Sequence, residues 1–272
     1  MRIAFIGGGN ISSALIGGLL ARGVAAGDLS VADPSVAQLE RLRREFGLKA
    51  TTDNLEAVRE TDLVVLAVKP QDMARAAGSL AAELASRRRV VVSVAAGIRL
   101  ESLAGWLGSA LPLVRAMPNR PALIGAGVTA AYASSAVTLA ERSVAQEILS
   151  AVGPLVWLED EAQMDAVTAV SGSGPAYFFL LVEALEDAGA ALGLPRATAR
   201  LLAVHTALGA GRMAAESADS PALLREQVTS RGGTTAAALA VMEAADFRGL
   251  VQRAVAAATH RSAELAREFG TG

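Results

Sequence analysis

The chain has 272 residues, enough for one large or two ordinary domains with real cores, and a formal net charge of −2 that gives no electrostatic case for nucleic acid or a membrane surface. It has no cysteine, which excludes disulfides, thiolate nucleophiles and Cys-based zinc sites. Two histidines, His205 and His260, are too few for a histidine-dominated metal centre, so no metal is expected.

The first element is a short apolar strand, Arg2–Ile6, that runs directly into Gly7-Gly8-Gly9-Asn10-Ile11-Ser12 and then a helical stretch from Ser13 to Arg22. This is the G-x-G-x-x-S form of a dinucleotide-binding turn. Gly7 permits the tight turn, Gly9 lets the backbone approach a pyrophosphate, and the small Ser12 lets helix and strand pack closely. The helix N-terminus offers free N–H groups and the positive end of its dipole to the phosphates. The same start could be taken for a secretory leader, but the glycine spacing, Asn10 and the lack of a small-residue cleavage pattern oppose that, and a cytoplasmic protein is expected.

Further strands are predicted at Leu29–Ala32, Leu63–Val68, Val90–Val94, Leu113–Met117 and Val128–Tyr132, with a last one around Leu155–Leu158. Helices at Val36–Phe46, Met73–Ala85 and Val137–Ala151 lie between them. Near-continuous apolar runs such as LVVLAV and VVVSVA suit parallel strands covered on both faces, so residues 1–160 are expected to form a doubly wound α/β sheet. From residue 161 to 272 the strand signal disappears. Pro175–Leu192, Arg196–Ala215, Pro221–Val228, Thr235–Ala245 and Phe247–Phe269 read as Ala- and Leu-rich helices. Helices apolar around so much of their circumference point to a second subunit interleaved through this half, with a well-buried core as the alternative. Charges such as Glu183, Glu186 and Asp187 interrupt its apolar runs, so no transmembrane helix is expected.

Several residues carry candidate chemistry. Asp33 ends the second strand, where an acidic residue can accept hydrogen bonds from the adenosine ribose and repel a 2′-phosphate, which leans toward NADH; a turn-forming Asp-Pro pair is the alternative. Lys69 follows the third strand and precedes Pro70, which favours an extended conformation there. Only Lys49 and Lys69 are lysines in a chain that otherwise uses arginine, although an ordinary surface lysine would look the same. Val94-Ala95-Ala96-Gly97 is small enough to floor a nicotinamide pocket, and Met117-Pro118-Asn119 ends a strand in the same manner. In the second half Ser171-Gly172-Ser173-Gly174-Pro175 and Ser230-Arg231-Gly232-Gly233-Thr234-Thr235 each precede a helix. Such turns can hold a carboxylate on backbone N–H groups, or can serve only to cap their helices.

These motifs together resemble the pyrroline-5-carboxylate reductase family. The likeness rests on Phe5 to Asn10, Ala67-Val68-Lys69-Pro70, Arg115 to Asn119, Asp165 to Thr168 with Ser171 to Tyr177, and most specifically Gln227 to Thr235. Many members carry proline where Arg231 stands. The resemblance implies a Rossmann domain followed by an all-helical dimerisation domain, in dimers that often build larger rings. It implies that Ile6 to Ile11, Asn54, Ala67 to Pro70 and Val94 to Ala96 contact NADPH or NADH. It also implies that Glu161 and Ser230 to Thr235 lie near the substrate, with Thr235 the hydrogen-bonding partner of the ring nitrogen.

The residues themselves agree with imine reduction. That reaction needs a hydride donor, an anchor for a carboxylate and a hydrogen bond near nitrogen, with Gly232 to Thr234 as the anchor. β-Hydroxyacid dehydrogenases resemble the same layout but use a lysine in the helical domain, and no lysine follows Lys69. A dinucleotide sensor without a substrate site would leave both Gly/Ser/Thr turns idle.

Overall fold

A computed structural model describes residues 1–108 and 111–270. The chain packs into two compact units, Met1–Gly172 together with the stretch from Ala258 onward, and Ser173–Ala257.

The first unit is built on an eight-stranded sheet. Its central strand, β1 (Ile3–Ile6), lies parallel between β2 (Leu29–Ala32) and β4 (Leu63–Leu66). With β3 (Lys49–Thr51), β5 (Val90–Ser93), β6 (Leu113–Pro118), β7 (Thr129–Ala133) and β8 (Leu155–Trp157), the order is β3-β2-β1-β4-β5-β6-β7-β8. Among the described residues only β6 and β7 pair antiparallel.

Side chains alternate across the sheet as the two-residue period requires. Ile3 and Phe5 of β1, with Leu63 and Val65 of β4, face α1 (Asn10–Ala21), α2 (Val36–Phe46) and α6 (Leu139–Leu149). Ala4, Ile6, Val64 and Leu66 face α3 (Asn54–Val58), α4 (Pro70–Ser86) and α5 (Leu100–Leu107). Burial on both faces explains the unbroken apolar runs of the central strands. Each fully buried Phe, Leu or Ile contributes about 1.5–3 kcal/mol relative to exposure.

All the strands expected from the sequence are present, with ends shifted by up to two residues. Among the short elements not anticipated are β3, α3 and α5. Helices α1 and α4 start at Asn10 and Pro70, each three residues before the expected start, because Gly9 and Lys69 take up the extended cap conformation at the strand exits.

Packing divides the chain after Gly172 and returns its last part to the first unit. The cause is a segment fastened to the sheet. Glu161 pairs with Arg115 on β6, while Met164 in α7 (Met164–Val167) and Ala169 are fully buried. Ser262, near the end of the chain, donates to Asp165 at 2.7 Å.

The second unit is helical: α8 (Gly174–Ala191), α9 (Arg196–Glu216), α10 (Pro221–Gln227), α11 (Thr234–Ala244) and the start of α12 (Phe247–Gly270). α8 and α9 form a hairpin in which Gly189 sits so close to α9 that a Cβ there would stand 3.1 Å from the Ala199 methyl. Large apolar side chains remain exposed, among them Phe178, Phe179, Leu180, Leu201 and Val241. By length and composition the stretch Glu161–Ala191 could cross a membrane, which the sequence reading did not anticipate. Thr168–Gly172, a π-helical turn, interrupts it.

Candidate functional site

The turn after β1 is the best-defined feature of the first unit. Gly7 has φ +99°, a region that favours glycine, and its N–H donates to the Ala32 carbonyl at 2.7 Å. A Cβ on Gly7 would lie 2.6 Å from the Ala67 carbonyl oxygen, so the turn presses against the exit of β4. Ser12 is fully buried and returns its hydroxyl to the Gly7 carbonyl at 2.5 Å, which closes the turn on the first helical residues.

Helix α1 is capped by Gly9 with no side-chain cap, and its hydrogen bonding begins with Ser13 N–H to Gly9 C=O. The N–H groups of Asn10, Ile11 and Ser12 therefore precede the ladder, at the positive end of the helix. A Cβ on Gly9 would point into open space. This cradle fits a pyrophosphate: small residues, available N–H groups and room for close backbone approach.

Three strand exits lie side by side at this edge. Ile6, Leu66 and Ser93 are in register on β1, β4 and β5. Ala67 N–H donates to the Ile6 carbonyl at 2.8 Å, and Val94 N–H to Leu66 at 3.0 Å. The structure thus brings together Ile6 to Ser12, Ala67 and Val94, at the point where strand order reverses around β1. Ala95 is buried and Ala96 exposed. Val68 is half-buried; Lys69 is exposed and extended, as the N-cap of α4 with Pro70 in its first turn. Asn54 opens α3, beyond the exit of β3.

Two residues expected at the cofactor have work within the protein. Asp33 accepts from Gly8 N–H and Ser35 N–H, both at 2.8 Å, one on each carboxylate oxygen. Besides turning the chain before Pro34, the carboxylate joins the exit of β2 to the glycine turn. Asn119 is buried and uses both ends of its amide, accepting from Val128 N–H at 2.9 Å and donating to the Ser171 carbonyl at 3.2 Å. Its amide thus ties the exit of β6 to the π-helical turn. That turn, Thr168–Gly172, was missed at the sequence level; its small residues were the available signal, since Gly172 sits where a Cβ would meet the Met117 methyl at 2.6 Å.

Glu161 is held by one oxygen. Oε1 accepts from Leu100 N–H and from the Arg115 guanidinium, each at 2.9 Å, and Arg115 is buried.

In the second unit, Ser230–Thr235 forms a tight turn into α11. Gly232 has φ +73°, and Gly233 N–H donates to the Ser230 carbonyl at 3.0 Å. Gly233 is the N-cap, and no side chain caps the helix. The first helical bond is Ala237 N–H to Gly233 C=O, so three N–H groups, Thr234 to Ala236, precede it. Ser173 at the start of α8 provides no side-chain cap either. Capping, the structural alternative for both clusters, is not what their hydroxyls do.

The parallel sheet, its glycine turn and the row of strand exits define a dinucleotide-binding oxidoreductase of the Rossmann type. Residues 2–97 match the family model described as NADP oxidoreductase, coenzyme F420-dependent, and residues 161–265 match pyrroline-5-carboxylate reductase dimerisation. The chain is 51% identical over 269 residues to the pyrroline-5-carboxylate reductase of Pseudomonas aeruginosa, covering 99% of this chain and 98% of that protein. Among solved structures it is similar to a pyrroline-5-carboxylate reductase from Coxiella burnetii, with TM-score 0.94 and 40% identity, covering 97% and 98% of the two chains. It is also similar to the Plasmodium falciparum pyrroline carboxylate reductase with NADP bound, with TM-score 0.85 and 29% identity, covering 98% of each chain. The chain belongs to the pyrroline-5-carboxylate reductase family and is an NAD(P)-dependent oxidoreductase.

Proposed function

We propose that this protein reduces the C=N bond of 1-pyrroline-5-carboxylate to give L-proline, the last step of proline biosynthesis, with NADPH or NADH as reductant. Similarity to pyrroline-5-carboxylate reductases along the whole chain supports the activity. The observation that carries the site is the uncapped start of α11, where three N–H groups and the Thr235 hydroxyl are available.

In this reading Ile6 to Ser12, Asp33, Asn54, Ala67 to Pro70, Val94 to Ala96 and Asn119 hold the dinucleotide, Asp33 and Asn119 also bracing its loops. When bound, the reduced nicotinamide supplies the hydride that the imine carbon receives. Gly232 and Thr234 present backbone N–H groups to the substrate carboxylate, with those of Thr235 and Ala236 beside them, while Ser230 and Gly233, whose own N–H bonds the Ser230 carbonyl, shape that turn. Thr235 hydrogen-bonds the ring nitrogen and orients it. The imine can enter already protonated, so Thr235 need not be a strong acid, and its contribution is alignment. Glu161, fixed through Oε1, keeps in this reading its expected role near the substrate.

The exposed apolar side chains of α8 and α9 support a homodimer formed through the helical unit, in line with the dimerisation model that matches it. We expect the protein in the cytoplasm, without nucleic-acid or membrane partners. The test is oxidation of NADH and of NADPH, separately, with pyrroline-5-carboxylate at neutral pH. Turnover with either supports the proposal, and folded, dinucleotide-binding protein without turnover overturns it.

A further inference from the structure

The glycine turn is gripped from outside by α2. A Cβ on Gly8 would lie 2.8 Å from a methyl of Leu42 and 3.5 Å from Cβ of Asp33, so α2 closes directly on the turn. Both polar ends of the Gly8 residue are engaged. Its N–H donates to Asp33 Oδ2, and its carbonyl accepts from the Gln38 side-chain amide. Gln38 is itself oriented: its Oε1 accepts from Arg41 Nε at 3.3 Å. The same guanidinium donates through Nη2 to the Ser13 hydroxyl at 2.8 Å, and Ser13 passes a hydrogen bond on to the Gly9 carbonyl at 3.1 Å. Glu45 holds the third nitrogen at 3.0 Å.

We propose that Gln38 and Arg41 are positioning residues for the dinucleotide, clamping the Gly8 and Gly9 carbonyls so that the N–H groups at the start of α1 stay aimed at the pyrophosphate. The proposal rests on the reading of this turn as the cofactor site. Its physical logic is preorganisation. A glycine-rich turn is entropically costly to order, and a ligand that must order it binds more weakly. Carbonyls held away from the anion also keep the local field positive, whereas a peptide flip would turn a carbonyl dipole toward the phosphates. Neither residue need touch the cofactor, so the clamp acts on cofactor affinity and leaves the imine and the hydride-transfer step largely alone.

The test uses the full-length enzyme with Gln38→Met, Gln38→Glu, Arg41→Lys and, as a marker of the turn itself, Gly9→Val. Gln38→Met keeps length but loses the donor. Gln38→Glu keeps the acceptor for Arg41 yet sets a carboxylate against the Gly8 carbonyl. Arg41→Lys can reach Ser13 or Gln38 but not bridge both. The readouts are the dissociation constant of NADPH and of NADH by titration, KM for cofactor and for imine, kcat at saturation, and Tm.

The expected result is a cofactor Kd and KM raised by about 5- to 30-fold for Gln38→Met and Arg41→Lys, the scale of one lost positioning hydrogen bond, and raised further for Gln38→Glu. Imine KM and kcat should stay within about twofold, and Tm within about 3 °C, as for a surface hydrogen bond. A merely structural role would lower Tm and leave cofactor KM alone, which would overturn the proposal. If Gly9→Val abolishes binding while the Gln38 and Arg41 variants bind as the parent does, the clamp is wrong and the site stands. If Gly9→Val binds dinucleotide normally, the site itself is wrong and the clamp falls with it.

Discussion

Gly7 and Ala67 meet without space for a side chain between them: a Cβ on Gly7 would stand 2.6 Å from the Ala67 carbonyl oxygen, backbone that cannot swing aside. The contact locks the exit of β1 to the exit of β4, the two strands between which the chain reverses its direction of travel across the sheet. Gly7→Ala must therefore both leave the φ of +99° and separate these strands. We expect a loss of about 2–4 kcal/mol, combining left-handed strain with a displaced neighbour. Dinucleotide affinity should fall with it. Urea denaturation and cofactor titration of the one variant measure both, and parental values in each would show that the contact is not tight.

Much of this site was legible in the sequence because its determinants are local. Gly7, Gly9 and Ser12 declare a turn, a close approach and a packing contact within six residues. The Ser230–Thr235 turn is equally compact. What stayed hidden depends on partners distant in the chain. The bond from Gly8 to Asp33 spans 25 positions, so the sequence shows the strand-end carboxylate but not its hold on the turn. Only the fold brings Ser171 to Asn119. Gln38 and Arg41 look like ordinary solvated helix residues, since nothing in a helical period says that the solvent side faces a glycine turn. β3, α3 and α5 are too short to show a period at all.

Glu161 and Arg115 make a second pair whose removal should be felt. Arg115 is 5% exposed and Glu161 22%. Glu161→Ala strands a buried guanidinium and frees Leu100 N–H, a loss expected at about 2–4 kcal/mol, somewhat below that of a fully buried pair. Glu161→Ala with Arg115→Met should recover a good part of it, because the charge that lost its partner is gone as well. Denaturant midpoints of the single and double variants provide the check. A double variant no more stable than Glu161→Ala would mean that the cost lies in the freed backbone N–H.

Thr138, Glu141 and Arg88 tie the start of α6 to the loop before β5. Thr138 and Glu141 form a reciprocal capping box, and Arg88 grips the Glu141 carboxylate through two nitrogens, at 2.8 and 2.9 Å. Thr138→Ala should cost about 1 kcal/mol, the usual worth of an N-cap. The hydrogen bond from Arg88 comes first among the causes that hold the Glu141 carboxyl below its ordinary value of 4.5. A depressed folded value stabilises the fold above the unfolded value. That contribution is fully present above about pH 4.5 and is lost as the pH falls through the folded value. The stability gap between the parent and Glu141→Gln should therefore be widest near neutrality and shrink below about pH 4.5. A gap constant from pH 7 to pH 3 would contradict the ionic account.

Thr235 is the residue on which the proposed chemistry leans most. Thr235→Val preserves shape and removes only the hydroxyl. Turnover should drop by about 10- to 1000-fold, the range for a lost catalytic hydrogen bond, while dinucleotide affinity holds. Thr235→Ser should restore most of the rate, since it returns the oxygen. Full turnover in the valine variant would remove Thr235 from the mechanism and leave alignment to the backbone groups of the turn.

The helical unit carries an apolar surface that it does not bury by itself. Phe178, Leu181 and Leu185 follow one another at helical spacing along α8 and are 68, 41 and 46% exposed, with Leu201 and Leu202 exposed on α9. A helix apolar on most sides needs partners on most sides, and a soluble monomer rarely leaves so much continuous apolar surface in water. If a second copy covers this stripe, a charge placed in it is desolvated in the dimer and solvated in the monomer, so it acts on association rather than on the fold. Phe178→Glu should therefore lower the mass measured by light scattering to that of a monomer, while the helical circular dichroism signal is kept. The same variant retaining the parental mass would move the interface elsewhere on the unit.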